Sequence, residues 1–275
     1  MCIRDRTMTA TGRLSTSSPN FQNIPIRTED GKEIRKAIKA QSNEYQIFSA
    51  DYSQVELRVM AHLSGDESLI SALNNGEDIH TFTAKNIFNV DNDDMVLPEM
   101  RRIAKIVNFG IMYGAGPFRL SQELDIPFGE AKQIKDAYFL KYQGIEQYIE
   151  NSKLQIKETK SVETLLGRKR AVWDSDSQNK IRRDAAERMA INMPIQGTAA
   201  EMIKLAMIKI HRQMNKENLK SKLIMQIHDE LLLEVHQDEI DYISKMVIEH
   251  MRNAMKLDVP IEIDFGIGPS WYEAH

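Results

Sequence analysis

The feature that most constrains this fold is the wide separation of its strand-forming stretches. Residues 45–50 are rich in β-formers. In residues 222–235, the apolar residues Leu223, Met225 and Ile227 recur at every second position, His228 and Asp229 interrupt the pattern, and it resumes after them. The second stretch predicts a β-hairpin whose turn lies at these two residues. Between the stretches, roughly residues 66–180 are charged and mostly helical in pattern. The sequence therefore predicts an α+β fold in which a helical subdomain interrupts a sheet domain.

Helical periodicity and breaker residues predict the main helices. Apolar residues recur at helical spacing from Val55 until Gly65 stops them. Pro98 suits the first turn of a helix that runs through Tyr113. Further predicted elements are, in chain order, a loop over 11–31, a helix over 129–159, a helix over 185–217 with a kink or break at Pro194, a helix over 238–257 and a last strand over 260–265.

Composition narrows the class of protein. Of 275 residues 42% are hydrophobic, which is enough for a packed core. The net charge of −4 weakly disfavours a nucleic-acid partner, although binding depends on where the basic residues lie. Cys2 is the only cysteine, so an internal disulfide is impossible and a reducing, cytoplasmic compartment is expected. No apolar run approaches the ~18 residues of a membrane span, so no membrane partner is expected.

Two carboxylates occupy positions that suit metal binding. Asp51 ends one predicted strand, and Asp229 lies at the predicted hairpin tip. Mg²⁺ is typically held by one or two carboxylates plus substrate phosphates, and two such ions clamp the oxygens of an in-line displacement. The alternative is that Asp51 caps the next helix and Asp229 only suits a turn. The polar triplet His228, Asp229 and Glu230 between apolar strands favours the functional interpretation.

Four residues of one predicted helix form a stripe that suits a nucleotide. Arg101, Lys105, Phe109 and Tyr113 are spaced by four, and each step rotates by ~40° on an α-helix. Cations near the helix N-terminus suit phosphates, and aromatic rings nearer its C-terminus suit a base and sugar. The alternative is a surface helix with its aromatics in the core. Gly110 costs ~1 kcal/mol inside a helix and indicates a close approach to the backbone.

Three motifs together identify a family resemblance. Residues 51–58 (DYSQVELR), 101–113 (RRIAKIVNFGIMY) and 227–230 (IHDE) resemble motifs A, B and C of family A DNA polymerases. Shorter matches lie at 11–14, 23–25, 78–81, 164–168, 192–200 and 271–275. The resemblance covers the chain from about residue 9 onward. It implies a right-hand polymerase fold with an antiparallel-sheet palm and helical fingers, and without a thumb.

The resemblance implies roles for individual residues. Asp51 and Asp229 are the expected ligands of two Mg²⁺ ions, or of Mn²⁺ in their place, and Glu230 is an accessory catalytic carboxylate. Lys105 is expected to act in catalysis as well as in nucleotide binding. The implied nucleotide-binding residues are Arg101, Lys105, Phe109, Tyr113, Glu56, His80 and Gln54. Glu56 is expected to crowd the ribose 2′ position. The implied DNA-binding residues are Arg13, Arg168, Arg188, Asn192, Gln196 and His228.

Two patterns favour DNA contact independently of the resemblance. Arg188, Asn192 and Gln196 are four apart and form one polar row if the helix continues near Pro194. Minor-groove acceptors are common to all base pairs, so donors there check pairing without reading sequence. A second group, of basic residues, predicts a phosphate-tracking surface, with an ordinary solvated surface as the alternative. Its members are Arg168, Lys169, Arg170, Lys180, Arg182 and Arg183. The chain departs from the family pattern at 114–119, 142–145 and 171–174.

The function implied is template-directed DNA synthesis. Deoxynucleoside triphosphates would be added to a primer 3′ end by two-metal-ion nucleotidyl transfer, in replication or repair in the bacterial cytosol near the nucleoid. The expected partner is primer–template DNA, and the chain is expected to be a monomer. A single-subunit RNA polymerase of the same fold is one alternative, against which Glu56 beside Phe109 argues. A catalytically weak or inactive DNA-binding fragment is another.

The expected domains follow from the same resemblance. Residues 9–65 and 181–275 are expected to form the palm, and residues 66–180 the fingers. Residues 1–6 match nothing in the family pattern, and residues 1–8 are expected to be a non-native start. The chain is accordingly expected to be a C-terminal fragment of a longer polymerase.

Overall fold

A four-stranded antiparallel sheet organises the first of two structural units. The computed structural model describes residues 6–16, 20–25 and 28–275. The first unit comprises Met1–Val55, Gly197–Lys256 and Ile261–His275, and the second comprises Glu56–Gln196 and Leu257–Pro260. The predicted division into palm and fingers has other boundaries, and it stays a prediction. Of the expected non-native start, residues 1–5 lie outside the described residues.

Strands and helices occupy largely separate stretches of the chain, which is typical of an α+β fold. The strands are β1 (Arg6–Met8), β2 (Leu14–Thr16), β3 (Tyr45–Tyr52), β4 (Ser161–Glu163), β5 (Lys169–Ala171), β6 (Lys222–Ile227), β7 (Glu230–His236) and β8 (Ile263–Gly268). The helices are α1 (Glu29–Ala37), α2 (Val55–Ser64), α3 (Glu67–Asn74), α4 (Ile79–Phe88), α5 (Pro98–Met112), α6 (Pro117–Leu124), α7 (Phe128–Lys141), α8 (Gln143–Thr159), α9 (Lys180–Lys216) and α10 (Ile240–Arg252). No helix among the described residues is long and apolar enough to cross a membrane.

Strand β3 lies at the centre of the main sheet, whose order is β6-β7-β3-β8. Its neighbours place Glu230 and Asp264 directly opposite Asp51. Directly opposed residues of antiparallel strands share a face of the sheet. The register therefore sets three carboxylates side by side on one face.

Both faces of this sheet are covered by apolar side chains. On one face α10 packs against β3, with Ile243, Val247 and Met251 buried, and the Tyr52 hydroxyl donates to the Met251 carbonyl at 2.9 Å. On the other face Ile47 and Trp271 belong to one buried cluster. Alternation of side chains along β3 thus supplies the core on both sides.

The second unit is mainly helical. Its α4 and α5 are joined by a hydrogen bond between the buried side chains of Thr83 and Asn108, at 3.2 Å. Ile156 of α8 and Ala186 of α9 belong to one buried cluster. The short segment Leu257–Pro260 also belongs to this unit, and Arg58 Nη1 donates to the Pro260 carbonyl at 2.6 Å.

Several predicted boundaries are wrong, each for a physical reason. The helix over 129–159 is two helices, because Gly144 lies so close to Asp66 that an added Cβ would be 2.7 Å from the Asp66 Cα, and Tyr142 takes a non-helical conformation. Helix α9 is not broken at Pro194, since the buried neighbours Met193 and Ile195 hold it by packing. The last strand lies at β8, and the loop over 11–31 contains β2 and the start of α1.

Candidate active site

The carboxylates of the first unit meet where β3 and the β6–β7 hairpin adjoin. Asp51 faces Glu230 and Asp264 across the strands. The turn carrying Asp229 is attached to β3, because the Tyr52 amide donates to the Asp229 carbonyl at 3.3 Å. Asp51 also lines a groove of about 500 Å³. The structure thus brings together the three carboxylates that motifs A and C contribute.

Electrostatic repulsion at this cluster favours a cation. Burial, the charge of Asp229 and the charge of Glu230 raise the pKa of Asp51 to about 7. A divalent cation offsets such repulsion, and hard carboxylate oxygens are the ligands that Mg²⁺ prefers. Among residues 6–16, 20–25 and 28–275, no group of three or more His, Cys, Asp or Glu side chains encloses a metal position by itself. Two carboxylates completed by substrate phosphates and water fit this donor set.

Glu230 is held in place by three donors that the sequence did not indicate. Its Oε1 accepts from Ser49 Oγ at 2.6 Å and from Trp271 Nε1 at 2.7 Å, and His275 Nδ1 lies 3.5 Å away. Burial alone would raise the pKa of Glu230, but the bonds from His275, Ser49 and Trp271 outweigh it and lower that pKa. Glu230 is therefore ionised at neutral pH. Ser49 could have been found, since it lies two residues before Asp51 on the same strand face.

The predicted DNA contacts Arg13 and His228 line one pocket of the first unit, together with Gln226. His228 takes a left-handed conformation (φ 52°) in the hairpin turn. Its amide donates to Gln22 Oε1 at 2.9 Å, while Gln22 Nε2 donates to the Gln226 carbonyl at 2.9 Å. Gln22 and Gln226, which the sequence did not indicate, thus fix the turn.

Gln54 lies in the sharp connection between β3 and α2. Its φ of 51° is left-handed, a region that residues other than Gly, Asn and Asp rarely enter. The preceding residue is fixed because the Ser53 amide donates to the Glu262 carbonyl at 3.0 Å. Backbone strain of this kind clusters at functional sites.

In the second unit, Arg101 is held by a carboxylate. Its Nε and Nη2 donate to Asp78 Oδ1 and Oδ2 at 3.0 and 2.8 Å. Asp78 also caps α4 by accepting from the Thr81 amide at 2.7 Å. Burial would raise the pKa of Asp78, but the bonds from Arg101 and Thr81 lower it to about 2. This bidentate salt bridge orients the Arg101 guanidinium in the first turn of α5.

His80 is a buried, neutral imidazole beside the predicted nucleotide residues. Burial, together with the charges of Arg101 and Lys105, lowers the pKa of His80 to about 4, against the opposing charge of Asp78. Asn108 Nδ2 lies 3.1 Å from His80 Nδ1, so Nδ1 accepts and Nε2 carries the proton. The His80 ring centroid is 5.7 Å from that of Phe109. Lys105 itself is exposed on α5.

Of the aromatic residues Phe109 and Tyr113, the second contacts Glu56, the residue predicted to crowd the ribose 2′ position as a gate against ribonucleotides. The rings of Phe109 and Tyr113 are stacked, with centroids 6.3 Å apart and planes at 26°. The Tyr113 hydroxyl donates to Glu56 Oε2, and Glu56 is buried. Glu56 is therefore fixed against the ring that would lie under a base or sugar.

The predicted minor-groove row follows α9. Arg188, Asn192 and Gln196 are half-buried in a stretch that is otherwise largely buried. Within the described part of the chain, Asn192 Oδ1 is buried without a hydrogen-bond partner. A buried acceptor without a donor costs ~1–3 kcal/mol of folding stability. Arg168 lies elsewhere, in the turn between β4 and β5.

The predicted site residues thus form one set in each unit. Asp51, Asp229, Glu230, Gln54, Arg13 and His228 belong to the first unit. Glu56, His80, Arg101, Lys105, Phe109, Tyr113, Arg168, Arg188, Asn192 and Gln196 belong to the second. The carboxylates of the first set suit cations. In the second set, the cations and aromatic rings suit an anionic ligand with a flat ring, and the polar row of α9 suits a polar groove.

Comparison with known proteins finds that the chain is similar in sequence to bacterial DNA polymerase I proteins. DNA polymerase I of Bacillus subtilis (strain 168) is 47% identical over 270 residues, which are 98% of this chain and 31% of the relative. The thermostable DNA polymerase I of Thermus filiformis is 48% identical over 270 residues, which are 98% and 32%. The chain spans about a third of the length of these curated relatives.

A structural comparison and a family-model comparison both agree with this sequence similarity. The POL domain of Pol1 from M. smegmatis, in complex with DNA primer-template and dNTP, has a TM-score of 0.94 and 45% identity, and the match covers 98% of this chain and 48% of that chain. The expected fold is thereby confirmed. The family model described as DNA polymerase family A matches residues 3–273, beginning earlier than the motifs themselves. The chain therefore belongs to DNA polymerase family A.

Proposed function

We propose that this chain performs template-directed DNA synthesis, adding deoxynucleotides to a primer 3′ end by two-metal-ion nucleotidyl transfer. The observation that carries the proposal is the cluster of Asp51, Asp229 and Glu230, in which burial and mutual repulsion raise the pKa of Asp51 to about 7. The similar Pol1 domain was solved with DNA primer-template and dNTP. That complex supports the same substrates here.

Asp51 and Asp229 would hold the two ions, Mg²⁺ or Mn²⁺. When bound, the ions supply charge stabilisation at the attacking and leaving oxygens. Glu230 keeps its negative charge beside them, because Ser49 and Trp271 hydrogen-bond to it. The chain's own task at this point is to hold the carboxylates in a fixed geometry on paired strands.

The second unit would bind the incoming deoxynucleoside triphosphate. Arg101, oriented by Asp78, and Lys105 provide positive charge for the phosphates. Neutral His80 presents its Nε2–H as a further donor that does not depend on pH near neutrality. Phe109 and Tyr113 offer flat apolar surfaces to the sugar and base.

Glu56 would exclude ribonucleotides. Its carboxylate is bonded to the Tyr113 hydroxyl, so its bulk cannot easily swing away from a ribose 2′-OH. This rigidity favours DNA synthesis over the alternative of a single-subunit RNA polymerase.

Each unit offers residues that suit primer–template DNA. Arg188, Asn192 and Gln196 suit the minor groove, where their N–H groups would donate to the acceptors that all base pairs share. Arg13 suits the same minor groove, His228 suits the primer end, and Arg168 suits a phosphate. We further infer a monomer that acts in the bacterial cytosol, with the palm and fingers divided as the family resemblance implies.

The test is primer extension with Mg²⁺ and four deoxynucleotides, beside a DNA-binding assay. We expect the wild-type chain to extend the primer as the template dictates. Asp229→Asn is expected to lower the extension rate by ~10²–10³-fold or more while sparing DNA affinity. Asp91→Asn, an exposed carboxylate after α4, is the matched control. DNA binding without any extension by the wild-type chain would favour the non-catalytic alternative.

A further inference from the structure

The two tryptophans of this chain have opposite environments. Trp271 is 0% exposed, whereas Trp173 is 75% exposed, just after β5. Tryptophan is highly buried on average, because its large ring gains from leaving water. The functional assignments above leave Trp173 without a role.

The exposure of Trp173 does not come from a loose backbone. Its neighbour Val172 is buried in the cluster that contains Ile156 and Ala186, and the Val172 amide donates to the Lys160 carbonyl at 2.7 Å. Two residues beyond the tryptophan, the buried Ser175 accepts from Lys160 Nζ at 2.9 Å. The backbone is therefore anchored on both sides of an indole that projects into water.

The sequence segment that contains this indole has more cations than carboxylates. The segment 167–184 contains the six cations Arg168, Lys169, Arg170, Lys180, Arg182 and Arg183. Its carboxylates are the three residues Asp174, Asp176 and Asp184. Asp176 is paired with Lys160 at 2.9 Å and Lys169 with Glu163 at 3.9 Å, so partners outside the segment offset one charge of each sign. The segment keeps a positive excess that suits an anionic ligand.

We propose that Trp173 and the adjoining cations form a binding site for single-stranded DNA. An unpaired base stacks on the exposed face of the indole, and the cations contact the flanking phosphates. A duplex keeps its bases stacked inside, so this site selects unpaired strand over duplex. Every base has a flat face, so the site is tolerant of sequence. The inference extends the proposed function to an unpaired strand and is tested by binding alone.

The test measures the affinity of the whole chain for a fluorescein-labelled oligothymidylate by fluorescence anisotropy. Trp173→Ala is expected to weaken binding by about 5- to 150-fold, the range for loss of one stacked base. Trp173→Phe is expected to keep most of the affinity, because a ring remains. Leu140→Ala, at a residue of α7 that is 77% exposed, is the matched control and is expected to change nothing.

Two further readouts separate stacking from general charge attraction. Affinity for a blunt hairpin duplex is expected to be equal in the wild type and in Trp173→Ala. The dependence of oligothymidylate affinity on salt is expected to keep its slope in Trp173→Ala and to flatten in Lys169→Ala, which loses a phosphate contact. In the wild type, oligothymidylate is expected to quench the emission of the exposed tryptophan.

Three results would overturn the inference. They are wild-type affinity in Trp173→Ala, an equal loss for single strand and duplex, and failure of the wild type to bind oligothymidylate, which would point to a protein as the occupant. If the chain extends primers but lacks Trp173-dependent binding, only this inference fails. If binding depends on Trp173 in a chain that cannot extend primers, the inference stands and the proposed function fails.

Discussion

Asp51→Asn should stabilise the metal-free protein at neutral pH, although it removes a residue proposed to be essential. Burial and the charges of Asp229 and Glu230 raise the pKa of Asp51 from 3.8 to about 7. At ~1.4 kcal/mol per pKa unit, a rise of about three units corresponds to ~4 kcal/mol as an upper bound. The folded state carries that penalty above the ordinary pKa of Asp51, because it disfavours the ionised carboxylate that the unfolded state readily forms, and asparagine does not carry it.

The pH dependence has a definite sign. Below about pH 4, Asp51 is protonated in both the folded and the unfolded state, so it carries no penalty. As the pH rises towards 7, the unfolded state loses this proton first, and the free energy of unfolding decreases. The advantage of Asp51→Asn therefore grows between about pH 4 and pH 7 and then levels off.

The assay is urea denaturation in the presence of EDTA at several pH values between 5 and 8. Asp91→Asn, which changes an exposed carboxylate, serves as the control and should follow the wild type. Adding Mn²⁺ should stabilise the wild type by mass action and Asp51→Asn much less. A free energy of unfolding that stays equal for wild type and Asp51→Asn across this range would refute the reasoning.

Three other substitutions test the neighbouring assignments. Glu56→Ala should raise kcat/KM for ribonucleotides relative to deoxynucleotides by ~10-fold or more, because the bulk bonded to Tyr113 is lost; an unchanged ratio would refute the gate. Phe109→Tyr should increase incorporation of dideoxynucleotides, because a phenolic hydroxyl can replace the missing 3′-OH as a hydrogen-bonding group; the check is competition between the two nucleotides, and equal selectivity would count against this placement. Trp271→Phe removes a donor from buried Glu230 and should lower the free energy of unfolding by ~1–3 kcal/mol, measured by denaturation at pH 7; wild-type stability would contradict the bond's importance.

Local signals explain what the sequence could predict. The hairpin turn at His228 and Asp229 and the helix from Pro98 depend on residues close together in the chain, and both are present. The α5 stripe follows from a spacing of four residues. Such features need no knowledge of distant contacts, because alternation, spacing and breaker residues are read within one segment.

Contacts between distant residues explain what the sequence could not predict. The break between α7 and α8 depends on Gly144 packing against Asp66, which is 78 residues away. The partner of Glu230, Trp271, is 41 residues away, and no local pattern indicates it. Continuation of α9 through Pro194 is a case in which packing overrides a helix breaker.

The most direct test of the central claim counts bound cations. Mn²⁺ is titrated, with detection by electron paramagnetic resonance, into the chain with dideoxy-terminated primer–template and the next deoxynucleoside triphosphate. The account predicts two tightly bound ions per chain in the wild type, and the loss of at least one in Asp51→Asn and in Asp229→Asn. The same number of bound ions in all three proteins would contradict the assignment of these carboxylates as the metal ligands.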